Sequence, residues 1–432
     1  MDRSTLDLYK PEFWYTLAIA VLVLVPLTAP VLRKWAWAAI NLAFLRLLLG
    51  GADAVSAYAF LPTWLNKLLT FLRGSDEFVC ACAGILAAYI VLNALRRRVL
   101  GIIPLVLGGL AVLAMFLVHK LTVPTTVDRL ETMTSALRIG GGRDVVAIET
   151  LKSLLLAIGF SYVALRLVDA LRLTYEGRHA APDLPSTINF LLPFHMLAAG
   201  PIQGYADFLA QPAVPAPLSA SDSLRAVERI ALGLFKKFVL ADVLDKALLT
   251  LFRAPLPYML VESLLSYVWV YLDFSGYSDI CVGAGRLMGV ATPENFNRPY
   301  VARNLVDFWD RWHMSLSQFI YRNLFIPLQM AMVRRAGPRA ALWCGTVAFS
   351  VSFLLCGLWH GQEGRWMPWT LWGAMNALGL VAVVWYRAGL KKWLSREALN
   401  RYNSNLGVRL LATILTQGYV AATLVVATWP WE

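Results

Sequence analysis

The chain is short of charge. Only 15% of its 432 residues are Asp, Glu, Lys or Arg, against roughly a quarter in ordinary soluble domains. With 58% hydrophobic residues and a mean hydropathy of +0.59, that shortage excludes a water-soluble globular domain. Cysteine is scarce as well. Cys80, Cys82, Cys281, Cys344 and Cys356 lie in or beside apolar runs, where small buried hydrophobes belong. Cys80 and Cys82 lack the two-residue gap of a redox or zinc pair, and no histidine cluster stands near them. Neither a disulfide framework nor a metal site is therefore expected. The sequence also lacks barrel-type alternation, long linkers, internal repeats and low-complexity tracts. Gly140 to Gly142 neither follows a strand nor carries a P-loop lysine, so it makes no phosphate site.

What is present is a succession of apolar stretches near or above the length of about 20 residues that crosses a bilayer as helix. Spans are expected at 13–32, 36–50, 78–95, 99–118, 149–171, 187–202, 225–251, 257–285, 318–333, 341–358, 368–387 and 407–429. The segments 36–50, 187–202 and 318–333 read as re-entrant or interfacial, an arrangement that requires protein or water over the exposed backbone. The fold class is all-α integral membrane protein, one polytopic domain over residues 1–432. The first apolar run lacks the basic n-region and small-residue cleavage site of a signal peptide and reads as a retained span.

A net charge of +12 in a soluble protein suggests nucleic acid. Here Arg33, Lys34, Arg96 to Arg98, Arg172, Arg178, Arg298, Arg303, Arg334 and Arg335 read mainly as short connections, which is the positive-inside pattern. The expected partner is a lipid bilayer and no nucleic acid. Placing Arg33 and Arg96 to Arg98 in the cytoplasm puts the N-terminus and 119–148 outside, and 172–185 inside.

Polar chemistry concentrates in the second half. Asp273 and Asp279 interrupt an apolar run, YLDFSGYSD, and each would cost roughly 2.5 to 3.5 kcal/mol at a lipid-facing helix centre. They must face protein or water, as a hydrogen-bond network or as substrate contacts. His313 stands among Trp309, Trp312 and Phe319, three residues after Asp310. On a helix that spacing lets the carboxylate orient the ring. His360 ends a second apolar run, after Trp359. Imidazole titrates near neutrality and can take and return a proton without a large prior shift. A single crossing between the two histidines would put them at opposite faces, whereas a segment broken at Pro327 and dipping partway in would bring them to one depth.

His195, flanked by Pro193 and Gly200-Pro201, reads as shaping a bent helix, and His119 and His179 read as solvated loop residues. Lys236 and Lys237 read as anion-neutralising or as snorkelling to the interface. Trp366, Trp369 and Trp372, with Trp359, read as an interface belt or as cavity lining.

Together LGLFKKFVLAD, YLDFSGYSDICVGAGRLMGVATPENFNRPY, DFWDRWHMSLS and GLWHG, in that order between Pro193 and Ala377, resemble the bacterial membrane-bound O-acyltransferases. Residues 193–377 are thereby marked as the catalytic core. Within that family the chain is similar to the teichoic acid D-alanyl transfer branch and to the alginate-type polysaccharide O-acetyltransferase branch. IPL followed by Gln329-Met330, and the wording WHMSLS, lean to the first. ENFNRPY and FKKFVLAD lean to the second.

The resemblance implies a ring of about 11 transmembrane helices, with re-entrant and interfacial helices, around a central channel in the bacterial inner membrane. It implies no permanently bound cofactor, and an acyl thioester donor, D-alanyl carrier protein or acetyl-CoA, arriving from the cytosol. The acceptor is then a cell-envelope polymer or an extracytoplasmic acyl-transfer partner. His360 is the expected general base and His313 orients the thioester or stabilises its oxyanion. Asp310, Trp309, Trp312, Trp359, Asp273 and Asp279 support them, and Lys236 and Lys237 meet the donor. No Ser-His-Asp or Cys-His signature points to a covalent acyl-enzyme. The rival class is a transporter with a histidine and aspartate pathway, although paired inverted halves are missing. A purely structural subunit is the third reading.

Overall fold

The computed structural model describes residues 11–49, 76–97, a few positions between 103 and 110, and residues 160–179, 181–249, 259–361 and 366–428. The expected loop 119–148 with His119 and the triple glycine, most of the expected span 99–118 and residues 149–159 of the expected span 149–171 lie outside them. The described residues are overwhelmingly helical. Their β-type pairing is a single bridge between Phe296 and Trp312. Two compact units result, residues 1–227 with 281–292, and residues 228–280 with 293–432.

In the first unit, α1 (Pro11–Leu24) and α2 (Pro30–Leu49) pack together. The expected span 13–32 is thus two elements, because Pro26 and Pro30 bracket a break and a proline is tolerated only in the first turn of a helix. Arg33 is not a solvated connection either. It is buried in the first turn of α2 and donates to the Leu24 carbonyl and, at 2.6 Å, to that of Met288. The unit continues with α3 (Asp76–Arg96), α4 (Phe160–Tyr175), α5 (Leu184–Leu191) and α6 (Tyr205–Leu209).

The expected element 187–202 is not a span. Helix α5 starts at Asp183, whose side chain caps Ser186 N, and stops before Pro193. A one-turn 3₁₀ helix, Phe194–Met196, a turn over 197–199 and irregular backbone come next. Non-helical backbone away from water needs partners. Arg166, fully buried on α4, supplies them to the carbonyls of Leu191 (3.2 Å), Met196 (2.9 Å) and Pro201 (3.0 Å). Asn41 on α2 accepts from Phe194 N at 3.0 Å. His195 sits in this irregular stretch rather than in a bent helix, and its Nε2 pairs with Thr292 Oγ1 at 3.0 Å.

The second unit takes up the end of α7 (Ala220–Leu234), which continues as a π-helix, Phe235–Ala241, and most of α8 (Met259–Met288). These two helices meet backbone to backbone: a Cβ on Gly233 would lie 2.6 Å from the Gly276 carbonyl oxygen, and one on Gly276 2.7 Å from that of Gly233. Only glycine permits this approach.

Among the described residues of the unit, three helices are long and apolar enough to cross a membrane: Pro338–His360, which contains α12 (Ala341–His360), α13 (Trp366–Trp393), and Leu406–Ala427 within α14 (Leu406–Thr428). Helices α12 and α13 close on each other at Gly357 and Gly373, where a Cβ would fall 2.4 Å from the carbonyl oxygens of Trp369 and Phe353. Small residues at such crossings replace the hydrophobic drive that lipid does not provide. The short α9 (Leu305–Trp309) packs Leu305 and Phe308 into an apolar cluster with Tyr267, Leu380 and Val420. The expected segment 318–333 is helical throughout, as α10 (Met314–Ile320), a π-turn over Tyr321–Phe325, and α11 (Ile326–Ala336). Pro327 does not end the helix, because the π-turn directly before it places the proline in the first turn of α11.

Candidate active site

The sequence around His313 makes a turn, not a helix. Asn304 caps α9 by accepting from Asp307 N at 3.0 Å, and the helix ends at Trp309 with Asp310 as its C-cap. His313 then takes a left-handed backbone, φ 42°, and starts α10. The helical spacing expected to join Asp310 to His313 is therefore absent, and the Asp310 carboxylate receives no hydrogen bond from the imidazole. What holds the turn is Asn295, a fully buried residue. Its carbonyl accepts from Met314 N at 2.9 Å, its Oδ1 from Ser315 Oγ at 2.6 Å, and its Nδ2 donates to Ser278 Oγ on α8 at 3.2 Å. Arg311 O accepts from Asn297 N at 3.0 Å, which zips the two segments together.

So fixed, the His313 ring stands edge-on to Phe274 at 4.7 Å and is only 8% exposed. Burial pushes it down to about 3, and the charge of His360 acts in the same direction. The imidazole is neutral at physiological pH, and its buried Nε2 has no hydrogen-bond partner among the described residues. A cavity of about 600 Å³ lies beside it. Its walls include Val306, Leu316, Phe325, Phe349, Phe353 and Leu380, with Trp309, Asp310 and His313 among the polar contributors. Partial burial and neighbouring Asp307 raise the Asp310 carboxyl.

His360 closes α12, and its ring lies 5.3 Å from Trp369 and edge-on to Trp372 at 6.0 Å. Trp372 touches Trp309 at 5.9 Å, so an unbroken aromatic contact runs from His360 to the cavity wall. The sequence separates the two histidines, and the fold returns them to one neighbourhood. Trp312 stacks on Phe308 at 5.4 Å and packs behind the turn. Trp359, half-buried, is on a different side of α12 from His360.

The acidic residues have cations of their own. Lys237, almost fully buried, pairs with Asp273. Lys236 reaches Asp279 at 2.7 Å, and Arg229 shares that carboxylate at 3.0 Å while forking onto Glu294. Arg229, Glu294 and Asn295 escaped the sequence reading. Arg229 lies inside the expected span 225–251 with no motif to single it out, and Glu294 and Asn295 belong to ENFNRPY, a recognised motif whose individual roles no pattern assigns.

A model of the membrane-bound O-acyltransferase family matches residues 140–420, and that stretch includes every element of this site. The chain belongs to the membrane-bound O-acyltransferase family. Among curated relatives, the teichoic acid D-alanyltransferase of Bacillus subtilis (strain 168) is 26% identical over 277 residues, 61% of this chain and 66% of that protein. The probable alginate O-acetylase AlgI of Pseudomonas aeruginosa is 30% identical over 246 residues, 54% of this chain and 45% of that protein. The teichoic acid D-alanyltransferase of Streptococcus thermophilus is 29% identical, over 53% and 57%. The match thus spans about half to two thirds of the length of these relatives.

Proposed function

We propose that this chain transfers an activated acyl group, D-alanyl or acetyl, from a cytosolic thioester across the membrane to hydroxyls of a cell-envelope polymer or a relay partner. One observation carries the reading. A buried, neutral His313 with an unpartnered Nε2 lines a largely apolar cavity, and the contacts of Trp372 with Trp309 and with His360 link that cavity to the second imidazole. A preformed apolar pocket with a few convergent polar groups suits a thioester.

The chemistry uses the groups present. His360 accepts the proton of the acceptor hydroxyl, whose oxygen attacks the thioester carbonyl carbon. His313, holding a proton on one nitrogen, donates to the oxygen as negative charge develops. The tetrahedral adduct collapses, the C–S bond breaks, and the thiolate takes the proton back from His360. General-base assistance of this kind supplies about 10² to 10⁴-fold. Trp309, Trp312 and Trp359 shape the surroundings, and Asp310, on the cavity wall, tunes the field there. Lys236 and Lys237 serve the donor side through their pairs with Asp279 and Asp273, which fix the π-helical segment to α8.

Residues 193–377 form the catalytic core of one polytopic domain in the bacterial inner membrane, in which about 11 helices surround a channel. The donor is D-alanyl carrier protein or acetyl-CoA, and an extracytoplasmic partner completes delivery. The test is acyl release by the purified protein from radiolabelled acetyl-CoA and, separately, from D-alanyl carrier protein, beside His360→Ala. Turnover of one donor that vanishes in the variant supports the reading and names the acyl group. No turnover of either donor, with a labelled solute carried across vesicles, replaces it by transport.

A further inference from the structure

Helix α12 carries three hydroxyl side chains, and they behave differently. Thr346 Oγ1 donates to the Leu342 carbonyl at 3.1 Å and Ser350 Oγ to that of Thr346 at 3.0 Å. This back-bond to residue i−4 is how a serine or threonine inside an apolar helix satisfies itself. Ser352 is more deeply buried than either, at 2% exposure, yet its Oγ has no hydrogen-bond partner among the described residues. A buried hydroxyl left this way is unfavourable unless a ligand completes it.

Its position says which ligand. Ser352 lines the same cavity as His313, and Ser352, Cys356 and His360 recur every four residues on one stripe of α12. Phe353, the next residue, packs against the Trp309 ring at 5.1 Å. Trp309 Nε1, like His313 Nε2 and Ser352 Oγ, is buried and unpartnered. Three residues that each carry an orphan polar atom therefore line one cavity whose walls are otherwise dominated by aromatic and aliphatic side chains. A ligand that matches has an apolar body and a compact polar group. An acyl thioester has that form, with its carbonyl oxygen as the acceptor.

We infer that Ser352 is a donor-binding residue whose hydroxyl donates to the thioester carbonyl oxygen beside His313. This assignment rests on the acyl-transfer reading of the cavity. The same acyl thioester occurs on coenzyme A and on a phosphopantetheinyl carrier protein, and Ser352 recognises the shared carbonyl rather than either carrier.

The experiment measures affinity of the purified full chain for two stable probes. One is a ketone analogue of acetyl-CoA in which methylene replaces the thioester sulfur. The other is S-ethyl-CoA, which lacks the acyl carbonyl. A parallel arm places the same two groups on a phosphopantetheinyl carrier protein. In at least one arm the wild type binds the ketone about tenfold tighter, as expected for one neutral hydrogen bond. Ser352→Ala loses that preference without weakening S-ethyl binding, and Ser352→Thr keeps it. Unchanged preference in Ser352→Ala, equal loss on both probes, or wild-type binding blind to the carbonyl in both arms overturns the assignment. Thioester turnover separates the two claims. Wild-type turnover with Ser352-independent binding removes only the Ser352 role. A Ser352-dependent carbonyl preference without turnover of either donor upholds Ser352 and removes acyl transfer.

Discussion

Asn295 closes on Ser315: the serine hydroxyl donates to Asn295 Oδ1 at 2.6 Å, and one residue earlier Met314 N donates to the Asn295 carbonyl at 2.9 Å. A left-handed, non-glycine residue is unfavourable by itself. The grip of Asn295 on the two residues after His313 is what pins the imidazole's backbone in that conformation.

Asn295→Ala should therefore lower activity without touching substrate. The substitution removes the buried hydrogen bonds of Asn295 with Ser315 Oγ and Ser278 Oγ, a cost of about 1–3 kcal/mol. We expect a lower melting temperature in detergent and a kcat for thioester cleavage that falls more than KM changes. A KM effect alone would place Asn295 on the substrate instead.

His360→Ala and His313→Ala should each reduce acyl transfer by about 10² to 10⁴-fold while the melting temperature stays near wild type for His360→Ala. Steady-state turnover against both thioesters checks this. Retention of full activity in His360→Ala would remove it as the base.

The Lys237–Asp273 pair is nearly dry on the lysine side. Lys237→Met leaves a carboxylate unpaired, which costs about 3–5 kcal/mol for a buried pair. Lys237→Met combined with Asp273→Leu should recover most of that stability, because both charges are gone. Thermal unfolding measures the recovery. Turnover of the double variant then separates a structural pair, which regains activity, from a lysine that meets the donor, which does not.

Gly276→Ala places a methyl 2.7 Å from the Gly233 carbonyl oxygen. Both partners are backbone, so the helices must part, at a cost of about 1–3 kcal/mol typical of overpacking. Reduced yield of folded protein and a lower melting temperature are expected, with Gly276→Ser at least as damaging.

His313 gives the protein an acid sensitivity. Its folded-state value lies well below the ordinary 6.5, so the unfolded chain binds the proton that the native site refuses. Between about pH 6.5 and 3 stability then rises with pH, and acidification through that window destabilises the fold. His313→Asn should show a flatter melting-temperature profile from pH 7 to pH 4 than the wild type. Parallel profiles would show that the imidazole is not held neutral.

Much of this protein was legible from composition and motif. Shortage of charge and long apolar runs set the class, since a helix is the structure that satisfies its own backbone in lipid. The ordered motifs around Lys236, Asp273, His313 and His360 set the family. The boundaries at Pro26, Pro30 and Pro193 were less legible, because a hydropathy window averages across a break that a single ring enforces. Residue order alone supplied candidates for the site, the two imidazoles, the indoles, Lys236, Lys237, Asp273 and Asp279, but not Arg229, Asn295 or Ser352. Their relations came from the folded chain. It set Asp310 apart from His313 by ending α9 early, paired the lysines with the aspartates, and left Ser352 unbonded. Periodicity encodes contacts within one element, whereas the meeting of α9, α10, α12 and α13 depends on packing between residues far apart in the chain.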